Sequence, residues 1–200
     1  MTMFRILFAP VMTLAMTIPA AADVIPLSEI SRYLNDLRTA RGEFTQINDD
    51  GSIATGGIFI HRPGRIRFEY SADETLVIAG GGQVAIFDGK SNTGPEQYPL
   101  ARTPLNLLLE RNVDLGRANM VVGHGEEGPA TTVTLQDPEN PEYGSIKLVF
   151  TAEPTQLRQW VTTNDGGGAT TVILGDMETD VRIGSRLFNI PLEVESRSDG

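Results

Sequence analysis

Apolar and polar positions alternate most cleanly over residues 56–70, where Ile58 and Ile60 precede the corner Arg62-Pro63-Gly64 and Ile66, Phe68 and Tyr70 follow it. In the second arm Arg65, Arg67 and Glu69 take the intervening places, the period of two expected of a strand with one covered and one wet face. His61 falls on the wet side, whereas the same parity puts Ile58, Ile60 and Arg62 on one face. Upstream the period differs: Leu27, Ile30, Leu34, Leu37 and Ala40 recur at helical steps, which predicts an amphipathic helix over 27–41, ended by Gly42.

From Glu43 the period returns to two. Strands are expected over 43–47, 52–62, 65–70, 75–79 and 83–88, turned by Asn48-Asp49-Asp50-Gly51 and by the glycines at 80–82. Thr103-Pro104, a cap residue before a proline, opens a short apolar helix over 105–111. Strands at 120–122, 131–135, 145–150, 156–163 and 170–180 follow. The plan is mainly β: a large antiparallel sheet with two helices on one face, which can close as a barrel, pair with a second sheet or stay open beneath its helices. Aromatics are few and Trp160 is the one tryptophan, so both an apolar cavity and a packed core are compatible with the composition.

The first residues belong to another process. Arg5, the apolar run 6–16 and the small residues before Asp23 form the pattern of a signal peptide over 1–22, cleaved after Ala22. The run is too short and wrongly flanked to span a bilayer, so an exported, soluble product is expected. Neither linker nor repeat divides the remainder, which reads as a single domain over 23–200.

Composition then removes several classes of chemistry. The chain has no cysteine, hence no disulfide framework, thiol nucleophile or lipid-acceptor cysteine. The net charge is −10, and loss of Arg5 with the signal makes it −10 − 1 = −11, which disfavours nucleic acid as a ligand. The two histidines, His61 and His124, assemble no metal pair or catalytic constellation, and His124, between two glycines, reads as a loop residue. Gly89-Lys90-Ser91 lacks the upstream glycine of a phosphate loop, since Val84 stands there. The acidic turn at 48–51 lacks calcium spacing, with Gln46 and Gly57 where acids are needed. Neither enzyme activity nor a cofactor or metal is expected.

Phe44-Thr45-Gln46, Gly57, His61-Arg62-Pro63-Gly64, Arg67-Phe68-Glu69-Tyr70 and Thr103-Pro104-Leu105 together resemble the pattern of the LolA family, periplasmic carriers of outer-membrane lipoproteins. The resemblance runs in order through the first half; the second half is similar only as a strand meander. It implies an open, incomplete antiparallel β-barrel with a helical lid over an apolar cavity. It also implies a job: to accept triacylated lipoproteins from an inner-membrane lipoprotein-releasing ABC transporter and pass them to an outer-membrane acceptor, without covalent chemistry. A monomer is expected. In this family the arginine matching Arg62 bonds to lid-helix backbone and holds the empty site shut. The acyl-chain and lid residues implied are Leu34, Phe44, Ile58, Ile60, Ile66, Phe68, Ile86, Leu105, Leu108, Leu109, Leu148 and Trp160. Glycines at 80–82 depart from the Asp-Gly turn common in the family, and 88–102 has no distinctive pattern. A second reading keeps the fold and makes the protein a periplasmic sensor or carrier of another amphiphile.

Overall fold

Twelve antiparallel strands form one sheet in the computed structural model, which describes residues 24–198 apart from 92 and 118; the expected signal peptide lies outside the described residues. Helix α1 (Leu27–Asp36) leads into β1 (Thr39–Ile47), β2 (Ile53–His61), β3 (Ile66–Tyr70), β4 (Leu76–Gly80), β5 (Gln83–Phe87) and β6 (Glu96–Pro99). A 3-10 turn at Leu100–Arg102 precedes α2 (Leu105–Leu109). Next come β7 (Val121–Glu127), β8 (Ala130–Gln136), β9 (Ser145–Thr151), β10 (Gln156–Thr163), β11 (Ala169–Leu174), β12 (Glu178–Thr179) and, after a 3-10 turn at Ser185–Phe188, α3 (Ile190–Ser198).

The strand order is β6-β5-β4-β3-β2-β1-β11-β10-β9-β8-β7, with β12 against the start of β1. The sheet does not close, because β6 and β7 stand at opposite ends of this order. Its centre is β1, which pairs with β2 along its whole length, from Thr39↔His61 to Ile47↔Ile53, and with β11 from Phe44↔Leu174 to Ile47↔Thr171.

That pairing corrects the first predicted helix. The backbone of residues 39–41 is held by β2 on one side and, at Ala40 and Arg41, by β12 on the other, so α1 stops at Asp36. Leu37 and Ala40 keep their buried places, but on extended chain. Gly42 is therefore no helix cap. It lies inside β1, where an added Cβ would come 2.5 Å from Met177 Sδ and 2.7 Å from the Asp176 carbonyl.

The helices α1 and α2 cover the concave face, contributing Ile30 and Leu34, and Leu107, Leu108 and Leu109, to one large apolar cluster. Thr103 does not cap α2 with its side chain; its hydroxyl donates to the Leu100 carbonyl at 2.8 Å. The face of β2–β5 expected to be wet is covered as well. Leu76, Ile78, Ala85 and Phe87 pack there against Phe188 and Ile190 of the chain's last segment, with Phe59, Ile183 and Val194 at the margin. His61 faces the same way, its ring 5.8 Å from that of Phe188 and nearly perpendicular to it at 81°. Burial, and next to it the Arg65 charge, hold its imidazole below the ordinary value. His124 is a strand residue of β7, and its Nε2 lies 2.9 Å from the Ile25 carbonyl.

Candidate functional site

The concave face is built by strand parity. Ile58 and Ile60 of β2 lie opposite Phe68 and Ile66 of β3, and all four are at most 6% exposed. Phe44 sits across from Gly56, and its ring meets Phe68 at 5.1 Å and Tyr70 at 5.2 Å, edge to face in both cases. Gly56 is required there, since a Cβ would reach within 2.9 Å of Phe44 Cε1 and within 2.0 Å of the Glu69 carbonyl. Phe68 continues the chain of rings to Trp160, 6.3 Å away. Trp160 and Leu157 point inward together although three residues apart, because a bulge between Leu157 and Gln159 shifts the register of β10.

Of the twelve residues named from the sequence, ten are buried in the one cluster: Leu34, Phe44, Ile58, Ile60, Ile66, Phe68, Leu108, Leu109, Leu148 and Trp160. Leu105 is half-buried against it. Ile86 stands apart, half-buried near the end of the sheet opposite Glu96, among Thr75, Asp88 and Ser91. The cluster also takes in residues not named beforehand, among them Leu107, Val133, Leu135, Ile146 and Phe150. Alternation in β8 and β9 carries that signal. These side chains fill the space between sheet and helices.

Polar ties add to the apolar contacts that hold the helices down. Arg62, 6% exposed, follows Ile60 on the concave side, and its Nη2 donates to the Glu110 carbonyl at 2.5 Å. The Gly64 amide, freed for this by the corner's φ of 72°, donates to the Leu109 carbonyl at 2.9 Å. Two carbonyls at the end of α2, which have no partner within the helix, are thereby satisfied by the corner between β2 and β3. The strip after α2 is clipped to α1. Asn35 Nδ2 donates to the Val113 carbonyl and its Oδ1 accepts from the Val113 amide, both at 2.9 Å, while Ser31 Oγ accepts from the Leu115 amide at 3.0 Å. Sequence reading missed these two residues; Ser31 and Asn35 lie one helical turn apart beside the apolar stripe, which was the available signal.

Burial, then the Arg38 charge, hold Arg62 below the ordinary guanidinium value, and the Glu110 charge offsets this only in part. Glu110 is pushed up by burial first and by Asp137 second. No group of three or more metal-ligating side chains occurs among the described residues.

An unclosed antiparallel barrel with short helices roofing an apolar concave face belongs to the class of open-barrel proteins. The chain is a member of the LolA family, described as outer membrane lipoprotein carrier protein, whose match covers residues 35–191. It is also similar to a Methylococcus capsulatus protein named outer-membrane lipoprotein carrier protein, with 24% identity over 180 residues, 84% of each chain. Two solved structures resemble it more loosely. A LolA superfamily protein of Nitrosomonas europaea matches at 10% identity and a TM-score of 0.44, over 82% of this chain and 98% of that one. An uncharacterized conserved protein of Thermus thermophilus matches at 10% identity and a TM-score of 0.47, over 84% and 93%. At those scores neither bears on function.

Proposed function

We propose that this protein carries acylated lipoproteins through the periplasm, receiving them from the inner-membrane releasing transporter and delivering them to an outer-membrane acceptor. The observation that carries the reading is the apolar concave face roofed by two short helices, tied to each other and to the corner after β2 by a few polar bonds. Each acyl methylene left in water costs about 0.8 kcal/mol, so a sixteen-carbon chain costs on the order of 12 kcal/mol, and transfer needs an apolar shelter. Here the shelter is filled by its own side chains when empty. Cargo must displace the roof, and the roof must return when cargo leaves.

In this reading Arg62 is the latch. A hydrogen bond from a charged donor is worth about 1.5–3 kcal/mol, enough to favour closure and little enough for entering acyl chains to overcome. Arg62→Leu should therefore still bind acylated cargo while hand-over to acceptor-bearing membranes falls by about tenfold or more. Wild-type transfer by this variant in a reconstituted release-and-transfer assay would sink the latch. Mass spectrometry of ligand co-purified from periplasm tests the cargo: acylated lipoprotein supports the proposal, and free phospholipid or glycolipid alone overturns it. The same preparation should begin at Asp23, as cleavage after Ala22 requires.

A further inference from the structure

The buried Arg62 side chain is used on one side only. A guanidinium has five N–H donors, and among the described residues a single hydrogen bond, to the Glu110 carbonyl, engages them, while Nε is buried with no partner there. Beside it lies a cleft of about 250 Å³, lined by Asn35, Leu37, Arg38, Arg62 with Pro63, Arg111 and Asn112. Three arginines thus converge from three parts of the chain: the stretch after α1, the corner after β2 and the strip after α2. In a protein of net charge −10 this local excess of positive charge is unexpected. Among the described residues, no ion pair within 4.0 Å involves any of the three.

We propose that this cleft is an oxyanion site of phosphate chemistry, in which Arg38 and Arg111 bind the anion from the open side and Arg62 faces it from the buried side. Guanidinium is the side chain suited to phosphate, because its planar fork gives paired, charge-assisted hydrogen bonds. A planar carboxylate is satisfied by one such fork, whereas a tetrahedral oxyanion offers acceptors in the several directions from which these arginines come. Asn112, exposed at the rim, adds a neutral donor. An anion here also offsets the cost of a buried cation that the Arg38 charge opposes and the Glu110 charge relieves only in part. The group could be free phosphate or the phosphate of a lipid headgroup, and the site stands whatever the cargo of the concave face.

The test uses the full-length mature protein and the double variant Arg38→Gln/Arg111→Gln, whose altered side chains are exposed. Melting temperature is followed against inorganic phosphate, with sodium chloride of equal ionic strength as control. Saturable stabilisation by phosphate, weakened about tenfold or more in the double variant, supports the site with free phosphate as ligand. No response to inorganic phosphate, but sedimentation with phosphatidylglycerol–phosphatidylethanolamine vesicles that the double variant loses, supports it with the headgroup as ligand. Absence of both effects, effects unchanged in the double variant, or acetate acting as strongly as phosphate would overturn it. Cargo transfer enters none of these readouts, so the site and the carrier role fail separately.

Discussion

Neighbouring residues of β2 face opposite ways, and their tolerance to change follows from what each faces. Gly56 has the Glu69 backbone directly above it, at 2.0 Å from an added Cβ, and the Phe44 ring beside it. Neither can yield without moving β3 or breaking the ring contacts with Phe68 and Tyr70. Gly57, one step along, meets only Phe59 Cε2 at 3.8 Å. Gly56→Ala should cost about 1–3 kcal/mol of unfolding free energy by urea denaturation, as overpacked positions do. Gly57→Ala should stay within about 0.5 kcal/mol of wild type. Equal effects at the two positions would show that the close approach between β2 and β3 is not a constraint. The same alternation sends Arg62 to the roof and His61 to the opposite face, which makes one a candidate latch and the other part of the C-terminal packing.

Among the elements, α3 is fixed by charge as much as by apolar contact. Arg67 of β3 donates from Nε to Glu69 Oε1 at 2.6 Å, and from Nη1 to the Leu187 carbonyl at 3.0 Å and to Glu193 Oε2 at 3.2 Å. Arg197 donates to Glu193 Oε1 at 3.0 Å and lies 5.0 Å over the Phe87 ring. Burial is the largest effect and raises the Glu193 carboxyl, but the hydrogen bonds and charges of Arg197 and Arg67 together outweigh it, leaving the group below its ordinary 4.5. The stabilisation is therefore present above 4.5 and lost as pH falls through the lowered folded value. His61 acts in the same direction: its imidazole is held below 6.5, so the unfolded state binds the proton more readily and stability declines as pH falls below 6.5. Amide exchange in α3 should accelerate as pH falls from 7 to well below 4.5, after correction for intrinsic rates, and His61→Phe should remove the portion of the change nearest 6.5. Uniform protection of α3 across that range would contradict the assignment.

These elements also show what could be read from the chain. Strand alternation located β2, β3, β8, β9 and β10 almost to the residue, and the glycines at 80–82 marked the turn in which Gly81 and Gly82 take φ of 60° and 79°. It failed where a local pattern was overridden from a distance. Helical spacing continued through Leu37 and Ala40, yet β2 and β12 claimed that backbone. In β6 all four residues are exposed, so no alternation announces it. In α3 only Ile190 is fully buried, and its cap, Asn189 Oδ1 accepting from the Leu192 amide at 3.0 Å, is one residue in an otherwise weak pattern. Most apolar candidates for the concave face were legible because strand alternation in β1–β3 and helical spacing in α1 define them. Asn35 and Ser31 were not, because their role is set by where the strip after α2 returns, 78 and 84 residues later.

On the scale of the whole molecule, the roof and the sheet behind it rest on contacts of different kinds. The far side of the barrel, β8 to β10, is knit by ladders interrupted only at the β10 bulge, around Leu135, Ile146, Leu148 and Phe150, all fully buried. The roof is joined to the corner after β2 through the Gly64 amide, whose acceptor lies on α2, and through Arg62, while the Val113 and Leu115 amides tie the strip after α2 to α1. A carrier that must admit cargo without unfolding opens at the second set and keeps the first. Native-state hydrogen exchange should then show the Gly64, Val113 and Leu115 amides opening at a free energy below that of Leu148 and Trp160, which exchange only through global unfolding. Arg62→Leu should raise exchange at those three amides by about ten- to a hundredfold, the equivalent of losing one hydrogen bond to a charged group, while leaving the β9 and β10 amides nearer their wild-type protection. If all five amides shift together, the roof and barrel form one cooperative unit, and cargo entry by lifting the helices is ruled out.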